Sequence, residues 1–226
     1  AKSQSGLANV SVDAGSQVTT YGANSIALYA GSEQAAGGVV VNNAGTLIAN
    51  AGNGVYAVGG NQGTTIANSG SITGTTGIYA LNGSSGAIAI TQSAGSITGR
   101  SVDGIYAIND ANGTDITVNQ SGGAVLGAVN GINAQNKGTG STSITAEGNV
   151  TGTSKDGIFA YNLPSAKDLN VTQGANSIVT GGTNGINAQN QGNNGYTTIQ
   201  TAGTVIGVNN DGMYVSNTSN GKDITI

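Results

Sequence analysis

The 226-residue sequence has no cysteine, no histidine and no tryptophan, and its one proline is Pro164. Without cysteine there is neither a disulfide framework nor a thiolate, which suits a chain that crosses an oxidising compartment unfolded. Without histidine no Ser-His-Asp or Cys-His arrangement can form, and the common zinc sites are excluded with it. Charged residues are only 7% of the chain and aromatic residues 4%. So little charge argues against ordinary disorder, which needs self-repulsion and few apolar residues. The six basic residues, Lys2, Arg100, Lys137, Lys155, Lys167 and Lys222, are scattered over a chain of net charge −4. They form no basic stripe, so nucleic acid is not expected as a partner. No apolar run approaches the ~20 residues of a membrane helix, so no transmembrane segment is expected. No signal peptide opens the sequence, which is expected to be cytosolic or a mature or excised piece.

What is present is glycine, 40 residues of it. It comes without the three-residue period of collagen and among many Val, Ile and Ala, a composition of turn-rich β proteins. Related stretches recur: "NGVYAVG" from Asn53, "TGIYALN" from Thr76, "DGIYAIN" from Asp103, "NGINAQN" from Asn130 and again from Asn184, "DGIFAYN" from Asp156 and "DGMYVSN" from Asp211. Their glycines, Gly54, Gly77, Gly104, Gly131, Gly157, Gly185 and Gly212, are 23, 27, 27, 26, 28 and 27 residues apart. A weaker copy, "SIALYA", begins at Ser25, 29 residues before Gly54. The period is that of a solenoid.

Each unit holds three short apolar-alternating runs, such as "GIYAIN", "DITVNQ" and "AVLG", separated by Gly, Asn, Ser and Thr. These are strand and turn signals, and nowhere does a helical period persist. The expected fold is all-β: a right-handed parallel β-helix with three strands per coil and about eight coils of ~27 residues. Residues 1–24 are expected to form an N-terminal coil or cap, and residues 25–226 the repeats. At ~4.8 Å per coil the rod is about 40 Å long.

Alternation assigns the faces. In the first strand Val55, Ile78, Ile105, Ile132, Ile158, Ile186 and Met213 are expected inside, with the small column Ala57, Ala80, Ala107, Ala134, Ala160, Ala188 and Val215 beside them. The second strand supplies Ile66, Ile88, Ile116, Ile144, Leu169, Ile199 and Ile224, and the third Ile72, Ile97, Val125, Val150, Ile178 and Val205. Asparagine closes the first strand in six units, Asn82, Asn109, Asn136, Asn162, Asn190 and Asn217, and is expected to stack as an amide ladder, hydrogen-bonded coil to coil. The Asx-Gly pairs that open the units are turn chemistry, with glycine supplying positive φ. Asp103, Asp156 and Asp211 recur at two-coil intervals, as do Asp115, Asp168 and Asp223, so like charges skip a coil and repel less.

Three chemistries could be hidden in this pattern. Asp103, Asp110 and Asp115 fall in one coil and could be paired carboxylates, but they read as solvated turn residues, and a fold shared with enzymes implies no activity. "GGNQGT" at Gly59–Thr64 lacks the lysine of a phosphate loop. No calcium-binding nonapeptide occurs, and no metal or other cofactor is expected. An irregular Ser/Thr pattern on the third strand speaks against ice binding. The outward side of the first strand carries the candidate binding face: Tyr56 and Val58, Tyr79 and Leu81, Tyr106 and Ile108, Phe159 and Tyr161, interrupted by Asn133 and Gln135 and by Asn187 and Gln189. The plainer reading is an aromatic stack that stabilises the sheet.

The "GIYAxN" coils with "SITG" third strands, poor in charge and free of cysteine, resemble the β-helical passenger domains of Gram-negative autotransporters (type V secretion) of the pertactin and AIDA type, from about Tyr21 onward. That resemblance implies a protein secreted or displayed on the bacterial surface after export across the outer membrane; the family includes adhesins, self-associating proteins, toxins and a few enzymes, and since no catalytic residues of an enzymatic branch match here the protein is expected to be non-enzymatic. It would act as an adhesin or self-association module, with a host-cell surface protein or glycan, or a second copy, as partner. Alternatives are a released passenger that signals through a host-cell receptor as a soluble virulence factor, and a polysaccharide-acting β-helix enzyme. "KDITI" stops in mid-coil, so the natural chain is expected to continue past Ile226.

Overall fold

β-Branched residues alternate with small polar ones in runs of four to six residues, and Gly-rich corners break each run. Such runs cannot bury their apolar side alone, so they stack on their own repeats. The computed structural model describes residues 1–4, 6–32, 36–218 and 220–226. Among them there is no helix; the strands form three parallel sheets of nine, nine and eight strands, each built from one strand per coil. The coil opened by Asp103 is representative, with strands Ile105–Asn109, Ile116–Gln120 and Ala124–Gly127. Its first strand pairs residue for residue with the coils on either side, so Ile105 lies between Ile78 and Ile132. About eight turns of ~27 residues result. Residues 1–24 contribute an in-register coil of their own: Lys2–Ser3, Leu7–Val12 and Gln17–Thr20 pair with the three strands that follow.

The interior is a stack of aliphatic columns. Val55, Ile78, Ile105, Ile132, Ile158 and Ile186 are fully buried, and so is the alanine column from Ala57 to Ala188. Each buried Ile is worth ~1.5–3 kcal/mol. Met213 and Ile224, in the last turn, are exposed.

Two core assignments differ from expectation. The second strand provides two inward columns rather than one. Ile88, Ile116 and Leu169 share a column with Thr64, Thr142 and Thr197, while Ile66, Ile144 and Ile199 lie in the other with Ile90, Val118 and Val171. A slip of two residues keeps every side chain on its own face, so alternation alone cannot detect it. In the third strand Val179, not Ile178, faces inward: Val179 pairs with Val150 and is fully buried, whereas Ile178 is 43% exposed. The closing Gly181, level with Gly152, sets that register.

The opening glycines are needed for space rather than for backbone conformation. The glycines with positive φ are Gly15, Gly63, Gly95 and Gly123, none of which opens a unit. A Cβ on Gly104 would lie 2.6 Å from Val125 Cγ1 and 2.7 Å from the Gly131 carbonyl oxygen. The corner is too tight for any side chain.

Candidate binding face

The asparagines that close the first strand do stack in register, Asn82 beside Asn109, then Asn136, Asn162, Asn190 and Asn217. All but Asn217 are essentially fully buried. Their amides do not bond to one another. Each Nδ2 donates to carbonyls of the corner leading to the second strand: Asn109 to Thr114 and Asp115 at 3.0 and 3.1 Å, Asn162 to Lys167 and Asp168 at 3.3 and 3.0 Å. Asn136 and Asn190 reach one carbonyl of their own corner and one of the coil below. The column clamps turns that would otherwise bury bare carbonyls. The amide-to-amide contacts expected of it occur at the next corner instead. There Asn43 Nδ2 donates to Asn68 Oδ1 at 2.7 Å, and Asn68 Nδ2 to Gln92 Oε1 at 2.5 Å. Gln120 and Gln173 continue this second buried column, whose signal was the recurrent Gln closing "DITVNQ" and "DLNVTQ".

Of the seven residues before the opening glycines, Asp211 is exposed and Asn53 half-buried, but the five between them are not solvated. Thr76, Asp103, Asn130, Asp156 and Asn184 are 3–6% exposed. They form an alternating ladder. Asp103 Oδ1 accepts from the backbone N–H and the Nδ2 of Asn130, both at 2.9 Å, and Asp103 Oδ2 accepts from Asn133 Nδ2 at 2.8 Å. Two coils on, Asp156 accepts in the same way from Asn184 N, Asn184 Nδ2 and Asn187 Nδ2 at 3.2, 2.8 and 3.0 Å. Between them Asn130 Oδ1 accepts from Asp156 N at 3.1 Å. A carboxylate only accepts, so the coil above it must donate through amides. This explains the two-coil period in chemical terms, and it explains why "NGINAQN" has asparagine where "DGIYAIN" has tyrosine. Asp115 and Asp168 obey the same alternation, accepting backbone N–H bonds from Ser141 and Tyr196 of the next coil.

The ladder also separates the three carboxylates of one coil. Asp103 is buried and fully engaged, whereas Asp110 and Asp115 are exposed on the corner that follows the first strand. Among the described residues no group of three or more acidic side chains is gathered as a metal ion would require.

On the outer side of the first sheet the tyrosines form a continuous stack. Tyr56 and Tyr79 have ring centroids 5.1 Å apart, Tyr79 and Tyr106 5.0 Å apart with rings at 86°. The stack extends one coil further than expected, to Tyr29, 5.7 Å from Tyr56. Tyr29 lies in the weaker copy, whose true register puts Leu28 level with Val55 and Tyr29 level with Tyr56. Each ring is half-buried by its neighbours, as are Val58 and Leu81, while Ile108 is only 7% exposed and offers no usable surface. Burial pushes the phenols of Tyr79 and Tyr106 above the usual value of 10.0, with the neighbouring tyrosine of the preceding coil adding to the effect, and Asp110 or Asp103 after it.

Beyond Tyr106 the stack stops. Asn133 and Asn187 are too short to stack, and they leave Phe159 standing between two lowered rows. Phe159 lies nearly parallel to Tyr161, centroids 6.1 Å apart at 13°. The lowered rows open a cleft of about 410 Å³ bordered by Asn133, Gln135, Lys155, Asp156, Phe159 and Asn187. The expected face is therefore two surfaces: a tyrosine stripe on the early coils, and an amide-lined cleft around Phe159 on the later ones. The cleft was not foreseen, because Asn133 and Gln135 read as interruptions of an aromatic row. Compared with known proteins, the chain matches no family model, no curated protein and no solved structure.

Proposed function

We propose that this protein is a non-enzymatic binding rod, a secreted or surface-displayed passenger of the autotransporter kind. It acts as an adhesin or self-association module through the outer face of its first sheet. The observation that carries the reading is the row Tyr29, Tyr56, Tyr79 and Tyr106, continuous over four coils and half-open to solvent. Core packing does not require it, since the inward columns are complete without it. Aromatic rings with an apolar body and a polar tip are the residues that make contacts with partners most effective. A non-enzymatic role is supported by the carboxylates: Asp103 and Asp156 each accept three N–H bonds, and among the described residues no other acid is buried.

The test is Tyr79→Ser combined with Tyr106→Ser, both at half-exposed positions. Displayed on bacteria, the double variant is expected to lose cell binding or bacterial aggregation while keeping its β-sheet circular dichroism. If both activities survive with the fold intact, the stripe is not the binding face.

A further inference from the structure

The cleft around Phe159 shows three properties together that the tyrosine stripe does not. Its aromatic ring, Phe159, has both neighbours along its own column cut away and only Tyr161 beside it. Its walls are planar amides. Those amides are held still from beneath, because Asn133 Nδ2 is bonded to Asp103 and Asn187 Nδ2 to Asp156, while Asn133 Oδ1 and Asn187 Oδ1 accept from Gln135 and Gln189 Nε2 at 3.1 and 3.0 Å. Two identical relays result, Asp103–Asn133–Gln135 and Asp156–Asn187–Gln189, set two coils apart, about 9.6 Å, with Phe159 between Asn133 and Asn187 and Tyr161 between Gln135 and Gln189. Each relay leaves its Gln Oε1 with no hydrogen-bond partner among the described residues. Lys155, exposed at the rim, adds ammonium donors and has no ion-pair partner among them. The Asp156 carboxylate, by contrast, has its oxygens already occupied by three N–H donors.

From this we infer that the cleft is a binding site for a neutral pyranose chain. One face of a pyranose presents polarised C–H bonds, which meet the negative face of an aromatic ring; its edge presents hydroxyls, which donate to amide oxygens and accept from an ammonium group. Phe159 supplies the platform, Gln135 in the cleft wall an acceptor, Lys155 a donor, and Gln189, outside the cleft and two coils from Gln135, a second acceptor. The spacing of the two relays is of the order of a disaccharide, so an extended chain lying along the rod passes Gln135 and Gln189 with the Phe159–Tyr161 pair between them. Because the relays are locked before the ligand arrives, little side-chain freedom is lost on binding. A polyanion is disfavoured: only Lys155 would meet it, beside the negative Asp156 and on a chain of net charge −4. The inference rests on the reading that this sheet face binds, but not on the tyrosine stripe.

The experiment is calorimetric titration of the purified chain with cello-, manno- and galacto-oligosaccharides, and with hyaluronan and polygalacturonate as acidic probes. At least one neutral oligosaccharide is expected to bind. Phe159→Ala and Gln135→Ala are each expected to weaken it about ten-fold or more, while Phe159→Tyr retains it. Tyr79→Ser with Tyr106→Ser is expected to leave the titration unchanged, which separates failure of this site from failure of the stripe. The inference is overturned if no neutral oligosaccharide binds at about 1 mM. It is equally overturned if binding survives Phe159→Ala, or if only the acidic polymers bind and added salt abolishes it.

Discussion

Asn133 Nδ2 donates to Asp103 Oδ2 at 2.8 Å, across one coil of the solenoid and beneath the surface of its first sheet. Together with the two bonds from Asn130 it gives three N–H donors to a carboxylate that is 3% exposed. Bonds to a charged acceptor are each worth about 1.5–3 kcal/mol, and an orphaned buried donor costs about 1–3 kcal/mol. Asp103→Ala is therefore expected to destabilise by about 3 kcal/mol or more. Asp103→Asn keeps one acceptor for Asn130 and should cost less. Urea unfolding followed by circular dichroism ranks the two; equal losses would mean that volume, not hydrogen bonding, sets the cost.

The buried threonines of the second sheet make a sharper test. Thr142 Oγ1 donates to Asn162 Oδ1 at 2.6 Å, and Thr197 serves Asn217 likewise. Asn109 Oδ1 is buried with no partner, and the coil below it carries Ile88 in that column. Thr142→Val is expected to cost about 1–2 kcal/mol by orphaning an acceptor. Ile88→Thr places a hydroxyl beside Asn109 Oδ1, and should cost clearly less than Ile90→Thr one column away. Thermal unfolding of the three variants checks the order.

Alkaline pH should loosen the tyrosine stack. Tyr79 and Tyr106 have phenols raised above 10.0 by burial and then by the adjacent tyrosine. The folded state therefore prefers the neutral phenol. This contribution is complete below pH 10.0 and is lost as pH rises through the raised values. Tyr79→Phe with Tyr106→Phe is expected to flatten the loss of stability in that window. Ultraviolet titration of the phenolates in the parent chain and in this variant, alongside melting curves, reads it directly.

At the coil corners the expected effect is steric. Gly104→Ala brings a methyl to 2.6 Å from Val125 Cγ1, and overpacking of this kind costs about 1–3 kcal/mol. Val125→Ala removes the obstructing methyl, so the double variant should be less destabilised than the sum of the singles. Strict additivity in a double-mutant cycle would show that the carbonyl of Gly131, and not Val125, is the barrier.

The repeat and its inward Ile and Ala columns were legible because the period of 27 and the alternation of two repeat in every coil. Where two answers share those periods, the sequence did not choose between them. Ile144 could stand level with Ile116 or with Val118, and Ile178 or Val179 could face inward; hydrogen-bonded register decided for Val118 and Val179. The candidate face was half-legible. Tyr56, Tyr79 and Tyr106 announced themselves, whereas Tyr29 was hidden by a two-residue shift and Ile108 turned out buried.

What the sequence alone determined is the solenoid: strand and turn signals at a constant period, with too little charge, and no cysteine or histidine, to build anything else from them. What tertiary structure decided is where each polar side chain finds its partner. The terminal asparagines bond to corner carbonyls rather than to each other, the corners at Asp103 and Asp156 are buried acceptors rather than solvated turns, and Asn133 and Asn187 are donors to those acceptors rather than gaps in an aromatic row. The physical reason is that burial is set by side-chain direction, which a two-residue period reveals. The side-chain hydrogen bonds between coils described above join residues 20 to 31 positions apart, and only stacking brings donor and acceptor within reach.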